Sequence, residues 1–151
     1  MTGPATIVLL NGVGSSGKSS IARALQSMAA RPFLHVQLEA FIDMMPAASR
    51  GSPDGLVFIP LEMDGHPAMR VHSGETAKAV FRGMRRAIAA LADAGNDLIV
   101  DDVNWGEELA DYRALLSDHD FRTVGVFASL ESLEACERGR AVRSRPLGEC
   151  L

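Results

Sequence analysis

The run LLNGVGSSGKSSIARAL, residues 9–25, constrains the fold more than any other stretch. An apolar segment stops at Asn11-Gly12. Three glycines, a lysine and two serines follow, and residues from Lys18 onward take helical spacing. A strand that runs through a glycine turn into a helix aims a row of backbone N–H groups at one point. The helix adds its positive N-terminus there. Such a junction suits a bound anion. Gly12-Val13-Gly14-Ser15-Ser16-Gly17-Lys18-Ser19 also satisfies the phosphate-loop pattern G-x-x-x-x-G-K-[ST] at every position. In that pattern the backbone cradles the phosphates, the lysine reaches the β- and γ-phosphates, and the serine hydroxyl ligates Mg²⁺. Residues 12–19, with Ser20 beside them, are therefore expected to hold the triphosphate of a nucleotide. A chance match in a glycine- and serine-rich turn is the plainer alternative, and the strand before and helix after argue against it.

The rest of the chain alternates in the way such a loop requires. TIVLL (6–10) reads as a buried strand and FLHVQL (33–38) as a second. Residues 18–30 read as a helix on which Ile21, Leu25 and Met28 share a face. EAFIDMMP suggests a short helix stopped near Pro46. Residues 47–72, rich in Gly, Pro, Ala and Ser, predict a loop or small hairpin at a ligand mouth. Val80, Met84, Ile88 and Leu91 mark a long helix over 74–94, ended by Gly95-Asn96. DLIVDDV (97–103) and TVGVFA (123–128) read as further strands; 107–117 and 130–140 read as helices. The expected fold is α/β: a mostly parallel sheet of the P-loop NTPase type with helices on both faces. Ligands in such sheets gather at the carboxyl ends of the strands, where the opening motif lies.

Composition narrows the partners. At 151 residues the whole chain, 1–151, is expected to form one domain. A net charge of −4 argues against nucleic-acid or anionic-membrane binding. No apolar run is long enough for a membrane span, and the start lacks the features of a signal peptide, so a cytoplasmic protein is expected. Cys136 and Cys150 have no metal-type spacing and read as unpaired thiols.

LIVDDV ends an apolar strand in two carboxylates. An Asp in this setting holds Mg²⁺ in P-loop enzymes. Strand alternation sends Asp101 and Asp102 to opposite sides, so only one faces the phosphates; Asp101 is favoured, and Asp102 would orient the acceptor. The alternative is an Asp pair that begins a loop or caps a helix. No guanine-reading N-K-x-D is present, and the chain is short for a motor ATPase, which leaves a small-molecule kinase as the expected class.

The P-loop, the segment LEAFIDMMP, the run ALADAGNDLIVDDV and VGVFASLESLEACERGR together resemble the chloramphenicol phosphotransferase-like family of P-loop kinases, from Ile7 to about Gly148. The resemblance implies a sheet of about five strands and transfer of the ATP γ-phosphate to an alcohol on a small molecule, with antibiotic resistance as the namesake's role. It places a general base at Glu39, where the family carries a shorter Asp; a surface Glu opening the short helix is the alternative. It makes Asp43 a structural residue. It also implies an arginine lid, in the pattern R-E-x-x-R-G-D-R-x-x-G. Here CERGRAVRSRPLG puts Cys136 at the leading Arg and Arg140 at the second, and leaves Arg143 and Arg145 both open as the third. Family members continue for a last strand and helix, so this chain is expected to be short at its C-terminus and to lack the last strand.

The acceptor is expected between the short helix, the 47–72 segment and the long helix. Phe41, Met44, Met45, Phe58, Met63 and Met69 are candidate lining residues, with core packing as the alternative for each. His66 and His72 read as loop histidines. Asn104 and Trp105 follow the Asp pair and stand near either ligand. Two other readings stay open: a kinase for a nucleoside, sugar or cell-wall precursor, and a nucleotide-binding protein without turnover. The oligomeric state is not legible.

Overall fold

The computed structural model describes residues 3–104 and 106–143. A parallel sheet is built from β1 (Thr6–Asn11), β2 (Phe33–Gln37), β5 (Asp97–Asp102) and β6 (Asp120–Gly125), in the spatial order β2-β5-β1-β6. Between β2 and β5 the chain forms α2 (Leu38–Asp43), an antiparallel hairpin of β3 (Leu56–Met63) and β4 (His66–Ser73), and α3 (Glu75–Asp93). The other α-helices among the described residues are α1 (Lys18–Met28), α4 (Glu107–Leu115) and α5 (Leu130–Arg143), and a short 3-10 turn lies at Ala47–Ser49.

The two central strands carry the burial. β5 is buried along its whole length, and Ile7 and Leu9 of β1 are fully enclosed. The side-chain period of two splits these strands between two cores. Ile7, Leu9, Leu98 and Val100 meet Met84, Ile88 and Ala92 of α3 and Tyr112 of α4 on one face. Leu10 and Ile99 meet Ala22 of α1 on the other. Helices therefore cover both faces, as the alternation of strands and helices requires. A third cluster, Met45, Leu56 and Ala77, fastens the base of the hairpin to α3.

Two local readings shift. The strand expected at 123–128 begins at Asp120, which pairs with Thr6, and ends at Gly125. Its first residues are half-buried to exposed, so an apolar run does not mark them. Val126 then leaves the strand, buried against Gly12. On α1, the face shared by Ile21, Leu25 and Met28 is exposed, and Lys18 and Ala22 are the buried positions. The 47–72 segment holds the hairpin that the sequence allowed.

Candidate active site

The site grows from the end of β1. After Asn11 the chain turns through residues 12–17, with Ser15 at φ 60 and Gly17 at φ 95, both left-handed. Gly17 caps α1 without a side-chain bond, and no acidic residue occupies the first turn of that helix. Its positive end therefore carries no acidic residue of its own. Gly12 lies so close to the Val126 carbonyl that a Cβ there would collide with it. The loop thus needs glycine at 12 for space and at 17 for conformation.

Lys18 is 7% exposed and bends back over the loop. Its Nζ donates to the carbonyls of Gly12 at 2.7 Å and Val13 at 2.9 Å, and stands 3.6 Å from Asp101 Oδ1. Ser19 Oγ donates to Asp101 Oδ2 at 2.6 Å. Strand register makes this meeting possible. Leu10 of β1 is level with Asp101, and Gln37 of β2 flanks it on the other side.

Alternation sends the next carboxylate away. Asp102 accepts from Tyr112 Oη at 2.8 Å and from the Val103 N–H at 2.7 Å. Burial and the neighbouring Asp102 carboxylate push the Tyr112 phenol well above its ordinary range. The structure therefore joins Ser19, Lys18 and Asp101 on the α1 face and leaves Asp102 on the α4 face.

Three contributors were not singled out from the sequence. Asn11 ties the loop after β5 to the phosphate loop: its Oδ1 accepts from the Asn104 N–H at 2.8 Å, and its Nδ2 donates to the Asn104 carbonyl at 3.3 Å. Tyr112 carries the Asp102 bond. His35 lies beneath the loop, with Nε2 3.7 Å from Asp101 Oδ2, beyond hydrogen-bond reach. Burial holds the His35 imidazole below its usual range, against the pull of Asp101. The available signal was a polar residue inside an apolar strand, two positions before Gln37 and so on the face of Asp101. Among the described residues, Ser16 Oγ, His35 Nε2 and both amide atoms of Asn104 are buried without a hydrogen-bond partner.

Glu39 lies in the first turn of α2 and is exposed. Asp43, at the end of that helix, pairs with Arg50 at 3.3 Å, and Arg50 also donates to the Asp43 carbonyl. Of the six candidate lining residues, Met45 is core and Phe41 packs partly against the α3 core. Met44, Phe58, Met63 and Met69 are all more than half exposed. Register puts Phe58 and Met69 on one face of the hairpin and Met63 on the other. His66 and His72 belong to β4 rather than to a loop. The backbone of α5 runs through Arg140 and Arg143, but the side chains of both lie outside the described residues, as do Trp105, Arg145 and Cys150 altogether.

Hard oxygen donors at Ser19 and Asp101 suit Mg²⁺, which usually takes one or two protein oxygens and completes its shell with water and phosphate. Among the described residues no three His, Cys, Asp or Glu side chains gather into a cage. Among them, too, no helix is long and apolar enough to cross a membrane.

Fold and loop together define a P-loop protein. Its architecture is similar to that of a sugar kinase from Janibacter sp. HTCC2649 (TM-score 0.57, 21% identity, 95% of this chain and 69% of that one). It is also similar to a chain of the Pnkp1/Rnl/Hen1 RNA repair complex (TM-score 0.68, 16% identity, 99% and 42%). Residues 5–149 match the model of the chloramphenicol phosphotransferase-like proteins, and the chain belongs to that family. It is 33% identical over 131 residues to the Mycobacterium tuberculosis (strain H37Rv) protein named "Putative O-phosphotransferase Rv2636". The match takes in 83% of this chain and 58% of that relative, so the chain spans little more than half of the relative's length.

Proposed function

We propose that the chain is an ATP- and Mg²⁺-dependent kinase that transfers the γ-phosphate to a hydroxyl of a small molecule, with chloramphenicol or a similar alcohol as acceptor. The observation that carries this reading is the contact of Ser19 with Asp101 at 2.6 Å beside Lys18, at the mouth of the phosphate loop. A phosphate loop alone only binds; a hydroxyl and a carboxylate joined beneath it also provide for a metal. Family membership supports phosphotransfer over nucleotide binding without turnover.

In this reading residues 12–20 form one P-loop unit around the phosphates. The loop N–H groups and α1 hold the β-phosphate, and Lys18 turns from its carbonyls to the β- and γ-oxygens. Ser19 and Asp101 hold the metal, which when bound would neutralise charge on the phosphate oxygens. Asp102, engaged by Tyr112, keeps the strand end in place. Glu39 accepts the acceptor hydroxyl's proton as its oxygen bonds to phosphorus and the bond to ADP breaks. Arg140, with Arg143 or Arg145, closes over the phosphates. Most of the rate comes from positioning and charge stabilisation.

The test is direct. The purified chain is incubated with ATP, Mg²⁺ and chloramphenicol, and the drug is examined by mass spectrometry, with Lys18→Ala as control. A phosphorylated drug that disappears in the control is the expected result. ATP bound with no phosphorylated drug would overturn chloramphenicol as acceptor. ATP bound with no transfer to any of a panel of nucleosides, sugars and other alcohols would overturn the kinase reading.

A further inference from the structure

His35 presents a problem of its own. Its side chain is 11% exposed, and Nε2 is buried with no hydrogen-bond partner. A buried polar atom left unpaired is unfavourable, and an aliphatic side chain at this position of β2 would avoid it. The imidazole instead faces Asp101 Oδ2 at 3.7 Å, only slightly too far to bond. That oxygen is occupied by Ser19 at 2.6 Å, while Oδ1 lies beside Lys18. The carboxylate is thus held from two sides in the resting molecule. One of those holds is temporary, because Lys18 must leave Asp101 to reach a phosphate.

We propose that His35 is a positioning residue for Asp101, closing the short gap to Oδ2 and fixing the carboxylate toward Ser19 once Lys18 has moved to the phosphates. The inference rests on the kinase reading and adds to it the residue that supports the metal-holding carboxylate. It accounts for a polar side chain in a strand where packing alone would select an apolar one. Groups that orient a ligating carboxylate commonly change metal affinity ten- to a hundredfold when removed.

The experiment measures binding rather than turnover. Mn²⁺ replaces Mg²⁺, its free signal is followed by electron paramagnetic resonance, and a non-hydrolysable ATP analogue occupies the loop. His35→Leu is expected to weaken Mn²⁺ binding about tenfold or more. Its affinity for the analogue without metal should stay within about twofold, and its melting temperature should equal or exceed the parent's, because the unpaired polar atom is gone. His35→Gln, which keeps a donor, should recover most of the Mn²⁺ affinity. His35→Ala makes the same comparison at smaller volume if leucine does not fold.

Unchanged Mn²⁺ affinity in the leucine or alanine variant would overturn the proposal. So would a loss matched by equal losses in metal-free binding and melting temperature, which would mark an ordinary packing role. If the parent protein binds no Mn²⁺ with the analogue, the kinase reading itself falls. That result is distinct from a parent that binds and a variant that does not differ.

Discussion

Exchanging Asp101 for asparagine removes the charge that faces Ser19 and Lys18; exchanging Tyr112 for phenylalanine removes the hydroxyl that bonds Asp102. The two changes lie on opposite faces of the sheet and should separate cleanly. Asp101→Asn is expected to reduce Mg²⁺-dependent transfer about a hundredfold or more, with little change in melting temperature, because Lys18 keeps its two carbonyl partners. Tyr112→Phe should retain transfer but destabilise the fold by about 1–3 kcal/mol, read by urea denaturation, because a buried carboxylate loses one donor. Tyr112 also predicts an alkaline response. Its phenol is raised above the ordinary 10.0 in the folded chain, so the unfolded chain loses this proton first. The stability linked to this group is complete below about pH 10 and falls as pH rises beyond it. Tyr112 is the sole tyrosine, so phenolate absorbance should appear together with unfolding instead of as a separate titration. A phenolate signal before any loss of helical circular dichroism would contradict the buried bond.

At the scale of elements, the hairpin of β3 and β4 and the helix α2 frame the side proposed for the acceptor. Phe58 and Met69 are exposed and share one face, so replacing both with serine should change stability by less than about 1 kcal/mol. If that face receives the acceptor, the same variant raises the KM for acceptor and leaves that for ATP unchanged. Glu39→Gln should lower kcat about a hundredfold or more while sparing ATP affinity. Much of the fold is legible in the sequence. The phosphate loop is a local pattern, and β5 announces itself as DLIVDDV because both faces of a central parallel strand are buried. The polar start of β6 was not readable, since an edge strand exposes Arg122 and Thr123 without cost. The exposed face of α1 misled for a related reason: helical spacing of apolar residues shows that they share a side, not that another element covers it. His35 and Asn11 were hidden because their meaning depends on which strand lies next to which. Only the order β2-β5-β1 brings them to Asp101 and Asn104.

For the whole molecule, the phosphate loop couples binding to stability. A ligand held only by the folded chain stabilises it by about 2.7 kcal/mol at a hundred times its Kd. In a chain of this length each kcal/mol raises the melting temperature by about 2–4 °C. ATP with Mg²⁺ should therefore raise the parent's melting temperature by several degrees in a thermal shift assay. Lys18→Ala should remove most of that rise. A core change such as Ile88→Ala, at a fully enclosed position of α3, should instead cost about 2–5 kcal/mol and shift the curve whether or not nucleotide is present.

The bent posture of Lys18 carries a consequence for the order of events. Its ammonium already has three oxygens around it, two from the loop and one from Asp101. An arriving phosphate does not meet an idle cation; it takes one from an existing set of partners. The same trade releases the Asp101 carboxylate, whose attraction for a divalent ion is until then offset by the neighbouring ammonium. Cation and nucleotide are thus natural companions, each making room for the other, and a metal offered alone should find the seat guarded by the lysine.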